Sequence, residues 1–259
     1  MDNVSKTLYI PLYGKACVSR KGILLSDPKA EEIWSAEGFP LRGKAASKWL
    51  AYYMAMRSRV FDDWLRDRLE QSPDAAVLHL GCGLDSRCLR VEHAGRQWYD
   101  VDFPEVIRER QRHHELSGGY HMMGADLRDP DWPAQIPAEN AIVILEGVSM
   151  YLSPEDLRVL LERLCGRFGK VHLLMDCYTE LAAKLSRRHN PINSVGVTQV
   201  WGVDDPKALE CGGLSFLRQH EITPQALIRE LPDGEQRIFR TLYGGKLANK
   251  LYKLYEYER

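Results

Sequence analysis

Short apolar runs alternate with helical stripes along most of the chain. Ala76 to Leu80, Gln97 to Val101, Tyr120 to Ala125, Ala141 to Leu145 and Val171 to Met175 are brief and rich in apolar, aromatic or β-branched residues. Each reads as a strand, and most end at a glycine or an acid. Between them the period changes to three or four. From Ala45 to Glu70 the residues Trp49, Tyr53, Met56, Val60, Trp64 and Leu65 fall on one helical stripe, which Ser72-Pro73-Asp74 ends. Pro104 stands where a first helical residue belongs, predicting a helix over Glu105 to Leu116. Ser153 is placed as an N-cap, with Pro154 next and Asp156 positioned to answer it, and Leu157, Leu160, Leu161 and Leu164 form the apolar face. Gly166 and Gly169 close that helix.

The two ends of the chain carry weaker patterns. Residues 1–42 read as irregular, with a break at Asp27-Pro28. Periodicity fades again from Tyr178 to Glu221, where Asn190-Pro191, Asp205-Pro206 and Gly212-Gly213 are breaks. Thr223-Pro224 starts a short helix through Leu231, Arg237 to Leu242 reads as a late strand, and Gly245 onward as a closing helix or tail. Strands alternating with helices predict an α/β, doubly wound, mostly parallel sheet covered on both faces. Ligands of such sheets bind beyond the C-terminal strand ends.

The candidate chemistry sits at those ends. Gly81-Cys82-Gly83 follows the first strand and precedes a helix, so the backbone can approach a ligand and offer free N–H groups. Asp102 ends the second strand, nineteen positions beyond Gly83, where an acid can accept from both ribose hydroxyls of a nucleoside. Asp126-Leu127 ends the third strand, with an acid for an adenine amino group and a leucine for its ring. Glu146 ends the fourth, placed to face the amino group of a zwitterionic ligand. Each acid alone reads more often as an N-cap or solvated loop residue; three in succession after the glycine turn read as a site. An NAD-dependent oxidoreductase shares the glycine turn and Asp102, but Ser86 stands where a dinucleotide fingerprint has its third glycine. A nucleoside-binding protein without catalysis is a second alternative.

Composition narrows the partners. With 35 basic and 36 acidic residues the formal charge is −1, which gives no overall field for nucleic acid or an anionic membrane. No apolar run reaches the length of a membrane span, and no apolar segment follows a basic start, so the expected location is the cytoplasm. The six cysteines are scattered without a CxxC pair and read as reduced thiols, with no metal site. His79 lies inside the first strand and reads as a packed residue, while His113 and His114 read as solvent-facing.

HLGCGLDSR, WYDVDFPEVIRER, GADLRD and ILEGVSMYLSPEDL, together with GKACVSRKGILLSDP and Met56-Arg57 upstream, resemble the leucine carboxyl methyltransferase family. That family includes protein phosphatase methyltransferases and bacterial O-methyltransferases of the tetracenomycin-synthesis type. The resemblance runs at least from Lys15 to Asp176. It implies a seven-stranded Rossmann-like sheet with an N-terminal helical cap and an insertion after the fifth strand. It also implies S-adenosylmethionine as cofactor, with S-adenosylhomocysteine as product. One domain over 1–259 follows: a cap and cofactor-carboxylate region at 1–72, a nucleoside-binding core at 73–177, an acceptor-binding insertion at 178–222, and 223–259 completing the sheet.

By the same resemblance Lys15 and Arg57 bind the methionine carboxylate, Gly81 the cofactor backbone, Asp102 the ribose, Asp126 and Leu127 the adenine, and Glu146 the amino group. A one-residue uncertainty in spacing leaves Lys21 as the alternative to Lys15. Tyr151 and Tyr178, just beyond strand ends, are candidate acceptor contacts. The implied acceptor is a small molecule offering a carboxylate or hydroxyl, with a protein C-terminal carboxyl as the alternative. A carboxylate needs no general base because it is already ionised, whereas an alcohol or phenol does. Neither the catalytic group nor the oligomeric state is assigned by the sequence.

Overall fold

A computed structural model describes residues 8–37, 41, 43–93, 95–116, 118–189, 199–244 and 250–259. The five apolar runs form strands β1 (Ala76–Leu80), β2 (Trp98–Asp102), β3 (Tyr120–Gly124), β4 (Ala141–Leu145) and β5 (Val171–Tyr178). Two more, β6 (Ser215–His220) and β7 (Tyr252–Glu258), complete one sheet in the order β3-β2-β1-β4-β5-β7-β6. β1 to β5 pair in parallel, and β7 runs antiparallel to both β5 and β6.

Alternation along the strands builds two cores, because successive side chains leave opposite faces. Val77, Ile142, Ile144 and Leu174 join one apolar cluster with Met56, Phe61, Trp64 and Leu65. Those four come from the long helix α3 (Lys48–Gln71), whose predicted stripe accounts for this face. Leu78, Val143, Leu145 and Leu173 join the other cluster with Leu157, Leu160, Leu161 and Leu164. This second helix, α6 (Pro154–Arg167), begins as expected: the Ser153 hydroxyl oxygen accepts from the Asp156 amide at 3.0 Å. Between β1 and β2 lies the single helical turn α4 (Arg87–Arg90), and between β2 and β3 lies α5 (Pro104–Arg110).

The chain ends depart from expectation. The stretch read as irregular holds α1 (Tyr9–Arg20) and α2 (Pro28–Glu37). α1 buries Ile10, Leu12, Gly14, Lys15, Ala16 and Val18, which do not make an apolar stripe, and it has no side-chain N-cap, so its sequence carries no amphipathic signal. The late strand expected at Arg237 to Leu242 is instead helix α9 (Asp233–Tyr243). Pro232 before it and Asp233 and Glu235 in its first turn favour the helix, and Phe239 and Tyr243 stack one turn apart at 5.5 Å. The expected terminal helix or tail contains β7, whose Tyr255 and Tyr257 are buried between two neighbouring strands. β6 lies inside the segment assigned to an acceptor-binding insertion and is mostly exposed, so no buried face announced it.

The helix expected to reach Leu116 ends at Arg110, whose carbonyl then accepts from the His113 and His114 amides in a turn. That turn buries His114, against the solvent-facing expectation; burial lowers its pKa to about 3. α7 (Glu180–His189) follows β5, and α8 (Gln225–Ile228) lies within the short helix expected there. The break expected at Asn190-Pro191 lies outside the described residues, as do the first seven residues and the start of the closing segment. All six cysteines are free thiols. Among the described residues no helix is long and apolar enough to cross a membrane.

Candidate active site

The connection from β1 runs to β2 on one side, while β4 pairs on β1's other side, so the strand order reverses at β1. A crevice opens at such a reversal, outside the carboxyl ends of the strands. Here it is a cavity of about 910 Å³ lined by Lys15, Arg57, Gly81 and Glu146, and by Tyr151 and Tyr178. These six of the nine sequence-derived candidates come together from α1, α3 and the ends of β1, β4 and β5.

Gly81 and Gly147 shape its floor. Gly81 has φ +66, and a side chain there would overlap Val148. Gly147, at φ +73, lies against the Arg57 guanidinium, and a Cβ would come within 3.3 Å of Nη2. Both positions need positive φ and empty space, which glycine supplies.

The polar end of the cavity is a connected ionic cluster. Arg57 donates from Nε to Glu146 at 3.1 Å and from Nη1 to Asp176 at 2.7 Å. Ser58 donates to the same Glu146 oxygen at 2.7 Å, and Arg87 pairs with the other. Burial pushes the Glu146 carboxyl up, but Arg87, Arg57 and Lys15 outweigh it and hold its pKa at about 2. Lys15 pairs with Asp85 at 3.0 Å and lines the cavity. The ammonium of Lys21 instead donates to the Tyr52 hydroxyl at 2.7 Å and sits over its ring.

His79 also reaches the cavity and is buried. Arg87 stands 3.0 Å from its Nε2; since a guanidinium only donates, Nε2 accepts and the ring proton sits on Nδ1. Nδ1 is 3.3 Å from Asp100. Burial lowers the pKa of His79, so it stays neutral with its lone pair occupied. It packs, as expected, but inside an ionic network.

Asp102, Asp126 and Leu127 are not among the residues lining the cavity. Asp102 lies beside it: its Oδ2 accepts from the Gly83 amide and its Oδ1 from the Phe103 amide, both at 2.8 Å. Burial pushes its pKa up to about 6 against those two hydrogen bonds. Asp126 accepts from the Arg128 amide at 2.9 Å and pairs with the exposed Arg128 guanidinium. Leu127 is buried in the core beneath β4 and α6.

Several residues of the site were not singled out from the sequence. Asp176 obeys the same strand-end rule as Asp102 and Glu146 but falls at the edge of the matched motifs. Arg87 lies within HLGCGLDSR, read there for its glycines alone. Tyr53, Tyr243 and Tyr252 line the apolar end of the cavity with Leu50, Met54, Leu185 and Leu242. Tyr53 packs against Tyr243 in a tilted arrangement at 5.2 Å and meets Tyr252 edge-on at 6.0 Å. Nothing in their spacing announces a cluster, because α9 and β7 were not foreseen.

The donor set fits a nucleoside with a zwitterionic tail. The Gly81 cradle is open to backbone approach, Asp102 offers a buried carboxylate beside it, Glu146 suits an ammonium, and Lys15 and Arg57 suit a carboxylate. Comparison with known proteins bears on the family and the cofactor. Residues 12–165 match the leucine carboxyl methyltransferase family. The tetracenomycin polyketide synthesis O-methyltransferase TcmP of Streptomyces glaucescens is 32% identical over 85% of this chain and 83% of its own. The S-adenosyl-L-methionine-dependent methyltransferase dpfgK of Gibberella zeae is 28% identical over 64% of this chain and 61% of its own. Among solved structures, a putative methyltransferase from Thermobifida fusca superposes with a TM-score of 0.57 at 14% identity, covering 87% of this chain and 92% of that one. Magnesium protoporphyrin IX methyltransferase (ChlM) from Synechocystis with bound SAH gives 0.51 at 13%, covering 88% and 93%. At such identities these two structures speak for the fold. The chain belongs to the leucine carboxyl methyltransferase family and is an S-adenosylmethionine-dependent methyltransferase on a Rossmann-like sheet.

Proposed function

We propose that this enzyme methylates an oxygen, carboxylate or hydroxyl, on an apolar small-molecule acceptor. The observation that carries the reading is the composition of the cavity. A charged cradle at one end passes directly into a space walled by Leu50, Tyr53, Met54, Leu185, Tyr243 and Tyr252. An apolar body buries its surface there while its polar oxygen points toward the cradle. The role of TcmP as an O-methyltransferase in polyketide synthesis supports the same choice. Tyr151 and Tyr178, which line the same cavity, contact the acceptor in this reading.

S-adenosylmethionine, when bound, supplies a methyl carbon already activated by its sulfonium. The chain's own work is then to orient and to exclude water. Lys15 and Arg57 take the methionine carboxylate, Glu146 the ammonium, Gly81 the backbone approach, Asp102 the ribose, and Asp126 with Leu127 the adenine. Residues 1–259 act as one catalytic unit, with α7 from the 178–222 segment and α9 beyond it walling the acceptor space.

The test uses methyl-labelled S-adenosylmethionine with a panel of apolar carboxylic acids, phenols and alkyl amines. Label is expected on oxygen. Its loss in mild alkali marks an ester, and its retention marks an ether. Transfer to amines alone would overturn the oxygen assignment.

A further inference from the structure

Nine ionic side chains behind the strand ends form one connected cluster, every one of them at most 8% exposed. Asp176 pairs with Arg57, Arg57 with Glu146, and Glu146 with Arg87. Arg87 continues to Asp62 and Asp85; Arg90 joins Asp62, Asp85 and Asp27; Lys15 ends the chain on Asp85. Five carboxylates face four cations, so the formal charge of the cluster is −1. At the cavity end of the cluster Asp176 shares Arg57 with Glu146, and its Oδ1 accepts from the Gly147 amide at 2.6 Å; at the far end Asp27 likewise shares Arg90 with Asp62 and Asp85. Asp176 is fully buried in β5, just past its parallel pairing with β4.

A buried carboxylate without its own cation is unfavourable unless a further positive charge arrives. The cluster opens onto the cavity through Lys15, Arg57, Asp85 and Glu146. The nucleoside expected there carries sulfonium, ammonium and carboxylate, a net charge of +1. Methyl transfer breaks the sulfur–methyl bond with the electron pair staying on sulfur and forms an oxygen–methyl bond, so the nucleoside left behind has net charge zero. A cradle of charge −1 therefore completes the first ligand and not the second.

We propose that Asp176 is a specificity-determining residue: it supplies the surplus negative charge by which the cradle favours the sulfonium nucleoside over its thioether product. It acts through Arg57 and through the field in the cavity. The inference rests on the cradle reading proposed above for Lys15, Arg57 and Glu146.

The experiment is calorimetric titration of the full chain with S-adenosylmethionine, S-adenosylhomocysteine and sinefungin, whose protonated amine replaces the sulfonium. Asp176→Asn keeps the shape and removes the charge. It is expected to lower the affinity ratio of S-adenosylmethionine to S-adenosylhomocysteine by about tenfold, the size of one charge acting across about 12 Å at an effective dielectric of about 20. Sinefungin should follow S-adenosylmethionine. Lys15→Gln removes a cation, so it should raise the same ratio even as both affinities fall. A role confined to holding Arg57 in place would weaken the two nucleosides equally. Ratios within about twofold of the parent in the folded variants, with affinities reduced, overturn the inference. Affinities unchanged in both variants overturn the cradle reading and the inference with it. If Asp176→Asn does not fold, the sign of the Lys15→Gln shift decides alone.

Discussion

The two ends of the cavity are built on opposite principles. At the strand ends charged groups are held by specific polar partners: Glu146 by Arg57, Ser58 and Arg87, Asp102 by two backbone amides. At the helical end the wall is apolar and aromatic, drawn from α3, α7, α9 and β7. Leu185 and Leu242 there remain 56% and 49% exposed. Buried charges tolerate little displacement, since an unpaired one is costly; apolar contacts are non-directional and accept many shapes. On the reading proposed above, the charged end holds the cofactor strictly and the apolar end offers the acceptor a forgiving surface.

The largest effect should come from breaking the ionic end. Arg87→Met strands Asp62 and Glu146, which are buried, and should cost about 3–5 kcal/mol of stability in denaturant unfolding. Unfolding at the parent's midpoint would mean that the network contributes nothing. Gly81→Ala should come next: positive φ and overlap with Val148 together cost about 1–3 kcal/mol and abolish cofactor binding by calorimetry.

Asp102 gives a pH signature. Its pKa of about 6 in the free protein means that it takes a proton as pH falls through that value. A protonated carboxyl no longer accepts from two ribose hydroxyls, so cofactor affinity should fall by up to about tenfold per pH unit below 6. Glu146, held at about 2, stays ionised over that range and does not share the limb. Asp102→Asn should flatten the profile; an unchanged profile would remove Asp102 from binding.

Substitutions at the helical end should be milder and selective. Leu242→Ala and Tyr243→Leu are expected to raise the acceptor KM by about three- to tenfold, in line with partial loss of apolar burial, while cofactor affinity holds. Equal losses for both ligands would dissolve the contrast between the two ends. The smallest effect belongs to Lys21→Gln, which should leave cofactor affinity within about twofold, because that ammonium is committed to Tyr52.

Legibility follows the same divide. Gly81, Asp102, Glu146 and Asp176 stand at strand ends, and strand ends are set by short local patterns. The helical end was invisible for a specific reason: α9 looked like a strand, β7 like a tail and α1 like irregular chain, so Tyr243, Tyr252 and the surroundings of Lys15 had no predicted element to sit on. Lys15 and Lys21 are within one short helix, and spacing alone did not separate them. The fold does, turning one ammonium toward Asp85 and the cavity and the other onto Tyr52.

Local periodicity and the glycine turn determined by themselves the parallel core, the strand-end site and, through the matched motifs, the family and its cofactor. Which charges neutralise one another, where His79 puts its proton, and how Tyr53, Tyr243 and Tyr252 meet were decided only by the tertiary structure. Strands and turns are encoded by neighbours in sequence, whereas ion pairs and ring contacts join residues tens to nearly two hundred positions apart, and their geometry exists only once the sheet and its helices have packed.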